Sequence, residues 1–150
     1  MMFEPWMQEA LTLAEQARDL DEVPVGAVVV MNGQIIGPGF NCPISQHDPT
    51  AHAEIEALRD AAQHIGNYRL PGSSLFVTVE PCTMCAGALV HARVENLVFG
   101  AREPRSGAIK SSAAVLENTT LNHRVKVTEG VLADECGALL TTFFQSRRDR

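Results

Sequence analysis

Glu4 to Leu20 carries apolar residues at helical spacing, Met7, Leu11, Ala14 and Ala17, and predicts an amphipathic helix. "VGAVVVM" is almost wholly apolar, as in a strand covered on both faces. Asn32-Gly33 is a hairpin turn signal, and "QIIGPGF" is the strand it pairs back. "NCPISQHDPT" reads as a polar loop whose end offers helix-start chemistry. Ala51 to His64 then has helical character and stops at Gly66-Asn67. "SLFVTV" predicts a strand, Cys82 to Ala92 a helix after Glu80-Pro81, and "NLVFG" another strand. Gly100 to Asn122 is a long Gly/Ser/Pro-bearing connection, a length at which loops are often functional. "RVKVTEG" alternates like a half-exposed strand, and a final helix begins at Asp134.

Beyond the first hairpin, strands alternate with helices. That order predicts a three-layer α/β/α sandwich around a central mixed five-stranded sheet. The strand order is not set by the pattern.

A chain of 150 residues suits one domain, residues 1–150, and its 45% apolar content is enough for a core. No apolar run is long enough to span a membrane, and the first residues carry acids rather than a basic-then-apolar block. A cytoplasmic protein is the expectation. The net charge of −6 argues weakly against a nucleic-acid partner, but its distribution changes that. Residues 1–100 hold four basic against twelve acidic side chains, whereas residues 101–150 hold eight basic against six acidic. A low overall pI is therefore compatible with a local basic patch late in the chain.

The candidate chemistry lies at two helix starts. Each combines a Pro-containing turn with residues able to bind a metal: His52 in one, Cys82 and Cys85 in the other. Helix N-termini carry partial positive charge, which favours the thiolate that binds metal. Cys82 and Cys85 are three apart and share a face, and imidazole with two thiolates suits zinc. Three protein ligands would leave an open position for water and hence catalysis; four would make a structural site. Cys42 and Cys136 each lack a second ligand at metal spacing and read as small buried residues.

A helical wheel at about 100° per residue puts the apolar stripe on Ile55, Leu58 and Ala62. His52 and Glu54 then flank that stripe, while Glu56 is expected to face solvent. Glu54 is better placed to handle protons than to ligate beside His52.

"HAE" followed by "PCTMC" matches the H-x-E and P-C-x-x-C signature of zinc nucleobase deaminases. "EVPVGAVVV", "NCPISQHDPTAHAEIEALR", "NYRLPGSSLFVTVEPCTMCAGALVHARV", "VFGA" and "NHRVKVTEGVLADECGALLTTFF" resemble the bacterial tRNA-specific adenosine deaminases from about Trp6 to Arg148. The resemblance implies a cytidine deaminase-like fold and conversion of the wobble adenosine of a tRNA anticodon to inosine, typically in an arginine tRNA with an ACG anticodon. It implies one Zn2+ per subunit on His52, Cys82 and Cys85, with water as fourth ligand and Glu54 as its proton acceptor and donor. Asn41 would bond the target base, and Ala53 would contact it through its backbone. Glu103, where members commonly carry Asp, would face a ribose hydroxyl. Arg147 and Arg148 would meet the anticodon stem, and His123 and Arg69 are weaker candidates for RNA contact. The resemblance also implies a homodimer. Two other readings remain at this point: a zinc deaminase of a free base, nucleoside or nucleotide such as guanine or cytidine, and a non-catalytic structural zinc module.

Overall fold

The computed structural model describes residues 2–149. The two end residues of the expected 1–150 domain, Met1 and Arg150, lie outside the described residues. The first helix, α1 (Glu4–Asp19), leads to β1 (Gly26–Met31) and β2 (Gln34–Phe40). A one-turn helix α2 (Pro43–Gln46), α3 (Ala53–Ile65), β3 (Ser74–Val79), α4 (Thr83–His91) and β4 (Asn96–Ala101) follow. A short 3-10 turn at Val115–Glu117, β5 (Lys126–Glu129) and α5 (Ala133–Arg148) complete the order.

All five strands form one sheet in the order β2-β1-β3-β4-β5. β1 runs antiparallel to both β2 and β3, whereas β3, β4 and β5 are parallel. The sheet is therefore mixed, as the alternation of elements predicts. The hairpin turns at Asn32 and Gly33, both at positive φ, as a two-residue turn of the right twist requires. Pro38 is confined to the edge strand β2, where its missing N–H leaves no gap in the ladder's interior.

The period of two along the central strands splits the core into two layers. Ala27, Val29, Leu75, Val77, Leu97 and Phe99 face one way, against Ala53, Ala57, Leu58 and Ala61 of α3 and Ala86 and Leu89 of α4. Val28, Val30, Phe76 and Val98 face the other way, against Met7, Ala10 and Leu11 of α1 and Cys136 of α5. Strand residues from 27 to 30 are thus buried on both faces. A covered middle layer leaves no alternation to read in these strands, only a continuous apolar run.

α3 sits unusually close to the sheet. A Cβ on Gly39 of β2 would lie 2.5 Å from the Ala53 carbonyl oxygen and 2.5 Å from the Ala57 nitrogen. One on Gly37 would run into the backbone of Ala57 and the methyl of Ala61. The seam is glycine against alanine, so helix backbone rests on strand backbone. This close approach fixes the depth at which the start of α3 stands beside the start of α4.

One helix goes beyond the sequence expectation. The "NCPISQ" stretch, read as loop, contains α2, and Glu22 explains it. The Glu22 carboxylate is buried and accepts hydrogen bonds from the Ile44 and Ser45 amides (3.3 and 2.6 Å) and from the Ser45 hydroxyl (2.7 Å). It satisfies the free N–H groups of that turn from outside the segment, where local sequence gives no sign of it.

Candidate metal and catalytic site

His52 and Cys82 occupy matching positions. Each is the N-cap of its helix, α3 and α4, with extended backbone (φ −74°, ψ 156° and φ −78°, ψ 178°). Cys85 is in the first turn of α4. The His52 Nδ1 is 3.5 Å from the Sγ of Cys82 and 3.5 Å from the Sγ of Cys85. The three candidate ligand atoms all lie within 4.8 Å of one another. Tetrahedral zinc with ordinary Zn–N and Zn–S bonds places nitrogen and sulfur ligands about 3.6 Å apart, so the donor set fits that ion. Among the described residues this cluster contains three ligands. Cys42 and Cys136 are buried elsewhere, and burial pushes their thiols up to about 11 and about 12. All four cysteines are free thiols.

The two cluster thiols differ. Cys82 is drawn down to about 3, first by its hydrogen bond with Cys85 and further by His52, against the opposing effect of burial. The same hydrogen bond and burial push Cys85 upward. A bound cation would favour the thiolate form of both.

Glu54 is buried and within hydrogen-bonding reach of Cys85. Burial pushes its carboxyl up to about 7, overcoming its own backbone N–H and the positive influence of His52. A group near neutrality can both take and return a proton.

The helical wheel fails on α3 in three respects. The buried face is Ala53, Glu54, Ala57, Leu58 and Ala61, and Ile55 and Ala62 are only half-buried. The sheet takes small residues here because Gly37 and Gly39 bring it so close, so centring the wheel on Ile55, Leu58 and Ala62 selected the wrong face. His52 is a cap with extended backbone, so it does not take the wheel's zero position at all. Glu56 does not face solvent either. Its side chain is 22% exposed, and its Oε1 is buried 4.0 Å from the Arg59 guanidinium. The turn 40–46 and residues Leu13 and Gln16 of α1 wall it in around a separate small cavity.

A cavity of about 570 Å³ opens over the cluster. His52, Glu54 and Cys82 line it together with Asn41 and the loop Arg102–Ser106. Asn41 is nearly buried; its side-chain N–H donates to the Val23 carbonyl at 3.3 Å and its backbone N–H to the Val25 carbonyl at 3.0 Å. Ala53 is fully buried against β2 and is not part of the cavity wall. Glu103 lines the cavity, but its Oε2 accepts from the Ser106 amide and hydroxyl, closing a turn within the loop. Arg147 is committed within the fold: it donates to the Asp21 carbonyl (2.6 Å), pairs with the Asp21 carboxylate (3.2 Å) and lies 4.5 Å above the Phe143 ring. Arg148 is exposed and bonded to Gln145 (2.7 Å). The ring Nε2 of His123 is 2.6 Å from the Val94 carbonyl, and Arg69 stacks over Tyr68, 5.5 Å from its ring.

Sequence reasoning passed over two parts of this cavity. The face of α5 with Gly137, Leu140, Thr141 and Phe144 forms one wall, and Glu80 stands behind another. Phe144 is 45% exposed, an uncovered aromatic ring beside the opening. The one local sign of Glu80 was a charged residue inside the mostly apolar "FVTVEPC" run.

The profile of the MafB19-like deaminases matches residues 1–148. The chain is 54% identical over 147 residues to a tRNA-specific adenosine deaminase of Haemophilus influenzae, covering 97% of this chain and 85% of that one. It is 42% identical over 147 residues to one of Bacillus subtilis, covering 98% and 91%. A solved structure from work on A-to-I editing by tRNA:A34 deaminases at the wobble position superimposes with a TM-score of 0.88 at 41% identity, over 91% of this chain and 99% of that one. A guanine deaminase from Nitrosomonas europaea shares the fold with a TM-score of 0.79 at 29% identity, over 93% and 83%. The shared fold thus spans enzymes with different substrates, while the higher identities gather on the tRNA enzymes. With its paired helix caps, its His–Cys–Cys cluster and these likenesses along nearly its whole length, the chain belongs to the MafB19-like deaminase family, alongside the bacterial tRNA-specific adenosine deaminases.

Proposed function

We propose that the protein, as one deaminase domain over residues 1–150, hydrolytically converts adenosine to inosine at the wobble position of a tRNA anticodon. An arginine tRNA with an ACG anticodon is the substrate to try first. The observation that carries this reading is the 54% and 42% identity, across nearly the whole chain, to two tRNA-specific adenosine deaminases.

His52, Cys82 and Cys85 would hold one Zn2+ per chain, which supplies Lewis-acid activation of the hydrolytic water. Glu54 takes a proton from that water and gives it to the purine ring nitrogen, then takes a second from the hydroxyl newly bonded to C6 and gives it to the amino group, which leaves as ammonia. Asn41 meets the base with an amide that offers both donor and acceptor. Ala53, behind the cavity wall, lets the backbone beside His52 and Glu54 approach the ring. Glu103 has Oε1 for a ribose hydroxyl, since Oε2 serves Ser106. Arg148 would give up only its exposed bond to Gln145 to swing toward a phosphate, whereas Arg147 would first have to leave Asp21. An anticodon loop suits a cavity of this kind because its bases splay out at lower cost than those of a duplex.

No helix among the described residues is long and apolar enough to cross a membrane. A tRNA substrate supports a cytoplasmic location. The family resemblance supports a homodimer, which light scattering would show as a doubled mass.

The test is to incubate an ACG-anticodon tRNA transcript with the purified protein and sequence it for A-to-I change at the wobble position. The 29% identity to a guanine deaminase supports a second reading, a deaminase of free bases. Turnover of free guanine or cytidine with an unchanged transcript would put that reading in place of the first. A zinc site with four protein ligands and no turnover of any base would support the structural module.

A further inference from the structure

Glu80 follows β3 directly, before Pro81 and Cys82, and it is 4% exposed. A carboxylate so buried needs partners, and it has five. It accepts from the backbone amides of Glu103 (3.1 Å), Ile109 (3.1 Å), Lys110 (2.7 Å) and Ser111 (2.9 Å), and from the Ser111 hydroxyl. All five donors belong to one loop, and they come from both of its ends.

The same turn grips the loop once more, through the Pro81 carbonyl, which accepts from the Ala108 amide at 2.8 Å; the Glu80 amide donates to the Ala101 carbonyl at the end of β4 at 2.9 Å. Gly107 is buried against the carboxylate, and a Cβ there would run into the Glu80 carboxyl carbon. Between the gripped ends runs Glu103–Ser106, which with Arg102 forms the outer wall of the cavity over the cluster. Arg102 is fastened separately, by paired bonds to Glu129 at 2.7 and 3.0 Å.

We propose that Glu80 is a positioning residue that sets the substrate-facing wall of the cavity, holding Glu103–Ser106 at a fixed height above the cluster. One three-residue turn, 80–82, thus carries a candidate metal ligand at one end and the loop's anchor at the other. The wall contributes to holding the substrate, not to moving its protons, so its loss is read mainly in KM.

Glu80→Gln is the central variant. It keeps the size of the side chain but turns one acceptor oxygen into an N–H₂ that faces amide donors. Amide exchange across 103–111 is expected to quicken about tenfold or more, while exchange in α3 and α4 and the zinc content stay as in the parent. For an anticodon stem-loop, KM is expected to rise about tenfold with kcat within about threefold. Ser111→Ala removes one of the five bonds and leaves the carboxylate intact, so it is expected to shift the same readouts less, and it decides the matter if Glu80→Gln does not fold. Unchanged exchange in the loop, loss of zinc, or a fall in kcat at constant KM would each overturn the proposal. The kinetic arm rests on the tRNA reading given above. The exchange and zinc arms do not, so a parent protein inactive on tRNA would sink that reading and leave the role of Glu80 decided by exchange.

Discussion

Gly39→Ala tests whether the glycine–alanine seam between β2 and α3 sets the geometry of the metal cluster. The new methyl would stand 2.5 Å from the Ala53 carbonyl oxygen, against 3.4 Å for ordinary contact. Relief along that line requires the start of α3 to lift by the difference, roughly 0.9 Å, since both opposing atoms are backbone. His52 precedes Ala53 and moves with it, whereas Cys82 and Cys85 are carried by a different helix, α4. The 3.5 Å nitrogen–sulfur separations would then change by up to that amount, well beyond the roughly 0.2 Å tolerance of a zinc site. Overpacking of this kind destabilises by about 1–3 kcal/mol, which for a chain of this size lowers Tm by about 2–12 °C. Zinc affinity, measured by competition with a chromophoric chelator, should fall about tenfold or more, in line with other disturbances that turn ligands out of place. A variant that melts within about 1 °C of the parent and binds zinc equally well would refute the reasoning, because α3 would then be supported by something other than this seam.

Three further outcomes are expected. Glu54→Gln should abolish deamination with about one zinc retained per chain, while Glu56→Gln, in a separate cavity, should leave activity intact and shift stability by less than about 1 kcal/mol; zinc loss in Glu54→Gln would make Glu54 a ligand. Arg148→Ala should weaken tRNA binding and lower the slope of log affinity against log salt by about one, whereas Arg147→Ala should chiefly lower Tm, because it loses Asp21 and the Phe143 ring; equal salt slopes for the parent and Arg148→Ala would return Arg148 to a solvated helix end. The Glu103 carboxyl is held below its ordinary 4.5, chiefly by the Ser106 hydroxyl, so the turn it closes is fully supported above pH 4.5 and loosens as pH falls through the depressed value. The Ser106 amide shift, followed by NMR, should therefore titrate with a midpoint below 4.5, and a midpoint at or above 4.5 would remove that bond.

Much of the sheet was legible in the sequence because its middle strands are covered on both faces and so appear as unbroken apolar runs. The hairpin was legible because Asn32-Gly33 supplies two residues that tolerate positive φ. The pairing of His52 with Cys82 and Cys85 could be drawn from ligand chemistry alone, and the structure brings the three together. What stayed hidden depends on contacts between distant segments. The orientation of α3 was misjudged because its buried face is alanine, and only the glycines of β2 reveal that alanine is what fits there. The helix α2 was missed because its cap, Glu22, comes from 22 residues earlier in the chain. Arg147 gave no sequence sign of its partner, since Asp21 lies 126 residues away. Glu80 was read only as the lead, with Pro81, into a helix, and its five donors belong to a long connection whose hold on it no local pattern shows.

His52 and Cys82 are 30 positions apart, and each caps a different helix. An ion held between them ties the chain into a ring that encloses α3 and β3. In chain-entropy terms, closing a loop of that length removes about 3.6 kcal/mol of freedom from the unfolded chain, comparable to a disulfide. Unlike a disulfide, this link survives reducing conditions and yields to a chelator. The ion would then be a removable staple as well as a reagent, and its supply would decide how much of the chain stays folded.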